Sequence, residues 1–393
     1  MGHGDETPAA VKTRTDRRPN ILMLFSDEHN AFMSGFMGHA TVRTPNLDSL
    51  AAQGVVFTNA YCNSPLCSPS RQAFMAGLHC HDIDVWNNTS AMPEDTVTWA
   101  HLLNLAGYET SLIGKMHFNG YQKMYGFERR PILEGNDAGR SFYSWGLRTS
   151  HEWSKPLPYT AGDMTAELLD AGPDTPKRRK IFQKDLEVLE CSLQMLREKA
   201  HDMSGRPWAM CCAFVLPHPP WKARPDILET YLGKGDLPFN REGAGRDECD
   251  RHMQLYYGSL MNLPDDAIRK AREVYFSLIT EFDEYAGKIL ACLEETGLAD
   301  NTAVFYFSDH GEMAGEHGLW AKATLLESSA RIPLVARLPG MPSPGRRVDT
   351  PVSLVDLFPT FLEIAGTELP APLRTRGHSL IPLTEGRKRD FRG

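Results

Sequence analysis

The chain has 393 residues, 41% of them hydrophobic, with a formal net charge of -8. That is enough apolar material for a large core, and the length admits one big domain or two smaller ones. Both charge signs are mixed along the chain, so no bulk basic field argues for a nucleic-acid partner, and no apolar run approaches the roughly 20 residues needed to cross a bilayer.

Residues 1–19 contain no apolar h-region and read as a disordered, mildly basic tail. The eight cysteines are scattered, unlike a dense disulfide scaffold, so a reducing, cytoplasmic location is the expectation. Asn20 to Phe25 is a short apolar run suited to a strand buried on both faces, and it ends in Ser26-Asp27-Glu28-His29. Thr44 to Leu50 resembles a helix start, with Gly54 as its stop. Val55 to Phe57 is a second strand. Thr98 to Leu105 reads as helix, and Tyr108 to Ile113 as a strand running into Gly114-Lys115. Residues 119–180 lack periodicity and read as long loops over the active face, where Tyr143 and Trp145 are able to wall a pocket.

Lys180 to Lys199 is the next helix, and Trp208 to Leu216 a buried strand ending at Pro217-His218-Pro219. Val274, Leu278, Phe282, Tyr285, Ile289 and Leu293 recur at helical spacing, which predicts a long amphipathic helix over 268–296. Ala303 to Phe307 is a strand ending in Ser308-Asp309-His310-Gly311. Ile332 to Leu338 reads as a strand and Pro351 to Ala365 as a helix. Strands alternating with helices indicate an α/β fold with a mostly parallel central sheet and helices on both faces. The polar clusters follow strand ends, the edge where open α/β sheets bind ligands.

Asp27, Glu28, Asp309 and His310 together form a hard donor set suited to Ca²⁺, Mg²⁺ or Mn²⁺. Taken singly, the two pairs read more simply as helix caps. Cys67 alone reads as an inert buried thiol. Its setting in Ser64-Pro65-Leu66-Cys67-Ser68-Pro69-Ser70-Arg71 is different, because Cys-x-Pro-x-Arg resembles the sulfatase signature recognised by a formylglycine-generating enzyme.

The resemblance then becomes broad. Thr44-Pro45-Asn46-Leu47-Asp48, Gly114-Lys115-Met116-His117, Ser308 to Glu312, Gly318-Leu319-Trp320-Ala321-Lys322, Val355 to Thr360 and Arg376 to Leu380 are similar, in order, to sulfatase landmarks. The match runs from Asn20 to Leu383 and implies an alkaline-phosphatase-like catalytic α/β domain over 20–383. Residues 384–393 then start a C-terminal subdomain that is short or truncated. Val85-Trp86-Asn87-Asn88 resembles the bacterial choline-sulfatase-like branch, which implies Asn88 in the substrate pocket.

The sulfatase resemblance implies the following roles. Asp27, Glu28, Asp309 and His310, with residue 67, bind the metal, Ca²⁺ first and Mn²⁺ or Mg²⁺ after it. Cys67, oxidised to formylglycine, is the nucleophile. Arg71 and Lys115 orient it, and His117 takes the proton that drives sulfate release. His218 and Lys322 contact the sulfate and the leaving oxygen. Alone, Lys115 and Lys322 would be surface lysines, His117 a loop histidine and His218 a turn residue, while His29 and His317 stay outside the set. The implied reaction is hydrolysis of a small sulfate ester. Phosphonate monoester or phosphodiester hydrolysis is the neighbouring alternative, and a non-catalytic anion-binding homologue is the reading if Cys67 stays a thiol. Oligomeric state is open, a homo-oligomer included. The departures are Glu28, where relatives carry Asp or Gln, and Leu78-His79-Cys80-His81 in place of an Arg-containing turn.

Overall fold

The computed structural model describes residues 18–133, 166–174, 180–238, 240–241, 263–341 and 343–387. Tyr143 and Trp145 lie outside them, as do most of the expected tail and the last six residues. The described strands are β1 (Asn20–Asp27), β2 (Val55–Phe57), β3 (Ala60–Tyr61), β4 (Glu109–Gly114), β5 (Arg129–Ile132), β6 (Gly172–Pro173), β7 (Trp208–Pro217), β8 (Lys222–Ala223), β9 (Thr302–Ser308), β10 (Arg331–Ile332), β11 (Leu334–Arg337), β12 (Arg346–Val348) and β13 (Val352–Ser353). Eight of them build one sheet in the order β12-β2-β11-β9-β1-β7-β4-β5. All its pairings are parallel except those of β11, which runs antiparallel to both neighbours.

The central strands β1 and β9 are buried at every position, and their middles are apolar, because both faces are covered. Leu22 and Leu24 of β1 face one core, together with α1 (Pro45–Gln53), α4 (Lys180–Ala200) and α5 (Asp265–Glu295). Ile21, Met23 and Phe25 face the other, with α2 (Cys67–Ala76), α3 (Trp99–Leu105) and α6 (Leu357–Ile364). The expected α/β sandwich with a mostly parallel sheet is therefore the observed fold.

Three expectations change. The strand expected over Ile332 to Leu338 is broken at Pro333, which cannot donate to a ladder; β10 pairs with β3 in a small sheet, while β11 joins the large one. The helix expected from Pro351 begins only at Leu357, since Val352 is paired with Ala60 and Ser353 donates its N–H to Asp356 Oδ2 at 2.7 Å. The long loop expected from 119 contains β5, hidden in sequence by Pro131; an edge strand tolerates it.

Gly114 closes β4 with a φ of 99°, and a Cβ there would overlap the Ala213 carbonyl oxygen of β7. Gly114→Ala is expected to cost about 2–5 kcal/mol, from left-handed strain plus overpacking. Urea unfolding checks this, and an unchanged midpoint would show that β4 and β7 separate freely at this end.

Candidate active site

The strand register brings the site together. Ser26 of β1 is level with Ser308 of β9, so Asp27 and Asp309 leave adjacent parallel strands at the same edge. β7 runs parallel on the other side of β1 and delivers His218, and β4 beyond it delivers Lys115. Neither acidic pair caps a helix. Both carboxylates are fully buried, and Glu28 takes a left-handed φ of 64° that turns it back over the edge.

Helix α2 supplies the centre. All ten of its residues are buried, and Phe74 packs on Phe25 and Phe307, the strands that carry the two aspartates. Cys67 is its first residue, where unpaired backbone N–H groups favour an anion. Arg71 follows one turn later on the same face. Its Nε donates to Asp309 at 2.6 Å, its Nη2 to Asp27 at 2.9 Å and its Nη1 to the Lys115 carbonyl at 2.5 Å. The guanidinium also lies over the Phe25 ring at 4.2 Å. The helix was not evident in sequence, because Ser68, Pro69 and Ser70 weaken its first turn.

Four donors gather in one buried group: Asp27, Cys67, Asp309 and His310, with their ligand atoms all within 4.8 Å of one another. His310 Nε2 lies 3.2 Å from Cys67 Sγ, 3.7 Å from Asp309 Oδ1 and 3.9 Å from Asp27 Oδ1. Such donor-to-donor spacings fit a cation bound at roughly 2.0–2.6 Å from each ligand. Glu28, expected in the same set, stands instead in a second group with Asp27 and His218. Its Oε2 receives Lys322 Nζ at 2.6 Å and His218 Nε2 at 3.2 Å. Its Oε1 is buried without a partner among the described residues.

The electrostatics follow from these contacts. Burial would raise the Cys67 thiol, but Lys115, Lys322 and His310 hold it well below the ordinary thiol range. Burial would likewise raise Asp27, and Lys115 and Arg71 bring it below the usual carboxylate value. Lys115 reaches Asp27 directly. Burial opposes charge on His310, yet Asp309 and Cys67 push it up to about 9. Burial pushes Glu28 up to about 8, against Lys322 and His218. His117 also helps to lower the Cys67 thiol, and its Nδ1 is buried without a partner among the described residues.

Asn88 lies at the mouth and uses its Oδ1 to accept the Ser68 N–H at 3.0 Å, so it caps α2. Asn119, which carries no signal in sequence, ties this loop down by donating to the Asn88 and Ser90 carbonyls at 3.0 and 2.8 Å. His29 is structural, bonded to the Met33 carbonyl at 3.0 Å and to Tyr306.

The sulfatase family pattern matches residues 19–367. The choline-sulfatase of Rhizobium meliloti is 33% identical over 389 residues, 95% of this chain and 73% of that protein. The chain belongs to the sulfatase family. Sulfatases are sulfuric ester hydrolases, and other relatives agree. Arylsulfatase K of Danio rerio is 29% identical over 93% of this chain and 68% of its own length. Among solved structures, the phosphonate monoester hydrolase of Agrobacterium radiobacter superposes with a TM-score of 0.75 at 25% identity, over 95% of this chain and 78% of that one. A protein solved with its substrate D-glucosamine-2-N,6-O-disulfate gives 0.72 at 23% identity, over 96% and 82%, and shares the fold. Among the described residues of this sulfatase no helix is long and apolar enough to cross a membrane.

Removing Arg71 leaves Asp27 and Asp309 buried without their shared counter-charge. Arg71→Met is expected to destabilise this sulfatase by about 3–5 kcal/mol at neutral pH. Denaturant unfolding in the absence of divalent ions reads it, and a loss under about 1 kcal/mol would mean the clamp is not what holds the two carboxylates.

Proposed function

We propose that this sulfatase hydrolyses a small alkyl or aryl sulfate, using a formylglycine made by oxidising Cys67 and one divalent cation. The observation that carries the reading is Cys67 Sγ, buried at the start of α2 within 3.2 Å of His310 and 3.9 Å of Asp27. The donors offered to the cation are Asp27, Asp309, His310 and residue 67; two carboxylates and an imidazole suit Ca²⁺ or Mn²⁺. When bound, the cation supplies Lewis-acid polarisation of a sulfate oxygen. A hydrated formylglycine supplies two hydroxyls on one carbon, one to attack sulfur and one to let the sulfate leave.

The chain's own residues do the rest. Arg71 and Lys115 hold the carboxylates and the end of β4 around residue 67. His117, which lowers the thiol of residue 67, takes the proton that releases sulfate. His218 and Lys322 face the group from the Glu28 side and meet the sulfate and the departing oxygen, which one of them protonates. Asn88 spends its oxygen on Ser68, which leaves its amide hydrogens for the anion. The 33% identity to a choline-sulfatase makes choline O-sulfate the first ester to test. A second reading, phosphonate monoester or phosphodiester hydrolysis, is favoured by the likeness to a phosphonate monoester hydrolase.

Enzyme co-expressed with a formylglycine-generating enzyme is expected to turn over choline sulfate and 4-nitrophenyl sulfate with higher kcat/KM than a phenylphosphonate monoester or a phosphodiester. Dominant phosphorus activity would move the assignment to the second reading. Mass spectrometry should find the Cys67 peptide about 18 Da lighter than its thiol form, with hydration restoring that mass. An unconverted thiol would favour the anion-binding alternative.

Asn88 gives a sharper test. Asn88→Asp keeps the cap but loses the amide donors and adds a negative charge, so KM for the ester should rise roughly 10-fold or more with stability unchanged. Asn88→Ala should also lose about 0.5–2 kcal/mol of stability with the cap. An unaltered KM in Asn88→Asp would place the amide outside the pocket.

A further inference from the structure

Lys322 sits in a loop whose backbone is unusual. Between β9 and β10, Ala314, Gly315, His317, Gly318, Ala321 and Ala323 all take positive φ, and four of these carry a Cβ. A left-handed residue with a side chain costs roughly 1–2 kcal/mol and persists only where surrounding contacts impose it. The contacts that impose it converge on Glu312. This side chain is fully buried, and its Oε1 accepts the N–H of Ala314 at 2.9 Å and of Ala321 at 2.6 Å. One oxygen therefore ties both sides of the loop together, and Ala321 is the residue before Lys322.

Neighbouring bonds close the same knot. Met313 N–H donates to the Ala321 carbonyl at 2.7 Å. Arg272 donates to the Ala314 carbonyl at 2.7 Å and pairs with Asp236 at 2.7 Å. The Glu312 carbonyl accepts Asn30 Nδ2 at 2.7 Å, which links the loop to the segment after β1. That segment holds Glu28, the partner of the Lys322 ammonium. The root of the Lys322 side chain is thus set by Glu312 and its tip by Glu28.

We propose that Glu312 is the positioning residue of Lys322: through Ala314 and Ala321 it fixes the loop so that the ammonium points at the transferred group. The inference rests on the reading of Lys322 as a group that meets the ester. Glu312 sets the loop through an acceptor oxygen, and its Oε2 has no partner among the described residues that a substitution would lose.

The test is a double-mutant cycle on metal-loaded, converted enzyme with 4-nitrophenyl sulfate. Glu312→Ala should lower kcat roughly 10²-fold with little change in KM, the scale of one misplaced acid–base group. In a Lys322→Ala background the same substitution should change kcat by less than about 3-fold, since two residues acting through one group are not additive. Glu312→Gln, which keeps the acceptor, should stay within about 3-fold of the parent. Equal losses in both backgrounds, a parental kcat in Glu312→Ala, or a Gln variant as slow as the Ala variant would each overturn the proposal. If Glu312→Ala loses its cooperative thermal transition, Glu312→Asp carries the same cycle, because its shorter arm cannot reach both N–H groups. A Lys322→Ala enzyme with parental kcat would instead overturn the role given to Lys322, and this inference with it.

Discussion

The Arg71 guanidinium is the contact on which the site depends. Parallel pairing of β1 with β9 forces Asp27 and Asp309 out at the same edge, and both are fully buried. Buried carboxylates are tolerated only when paired and hydrogen-bonded. Arg71 satisfies both at once with a rigid planar fork, and Phe25 beneath fixes the plane. Because Arg71 stands one helical turn from Cys67, the bond that makes the sheet edge tolerable also decides where residue 67 stands. Lysine has no such fork and would leave one carboxylate without its donor.

The parts legible in sequence were those that follow from strand ends. Asp27, Lys115, His218, Asp309 and His310 each follow an apolar run, and the parallel sheet needed only the right order to bring them to one edge. Glu28 was legible as an acidic neighbour of Asp27, but its separation from the main donor group depends on one left-handed residue that no periodicity reveals. Helix α2 was hidden because it is buried all round, so it shows no amphipathic stripe, and its first turn carries serines and proline. The Glu312 network was hidden for another reason: it works through backbone N–H groups, which every sequence possesses.

The acidic and basic side chains are already paired with one another before any substrate arrives. Asp27, Glu28 and Asp309 face Arg71, Lys115 and Lys322, and each ammonium is already tied to a carboxylate. Charges paired in this way can remain buried. On the proposed reading, further positive charge comes from a divalent ion, which the Asp27, Cys67, Asp309 and His310 donors fit. That reading divides the labour: protein cations would orient the ester, and the ion would attract it.

Discrimination between sulfur and phosphorus must then lie elsewhere. Sulfate monoesters, phosphonate monoesters and phosphodiesters are all monoanionic at neutral pH and tetrahedral at the reacting atom. A choline-sulfatase and a phosphonate monoester hydrolase both resemble this chain over nearly the same span. Such substrates differ in the central atom, in the substituents it keeps and in the leaving group. Asn88, held over the start of α2 by Asn119, and Trp86, exposed two residues before it, lie in the loop beside residue 67. On the proposed reading the sheet edge holds the tetrahedral anion, and the loop of Asn88 is where the departing alcohol would be selected.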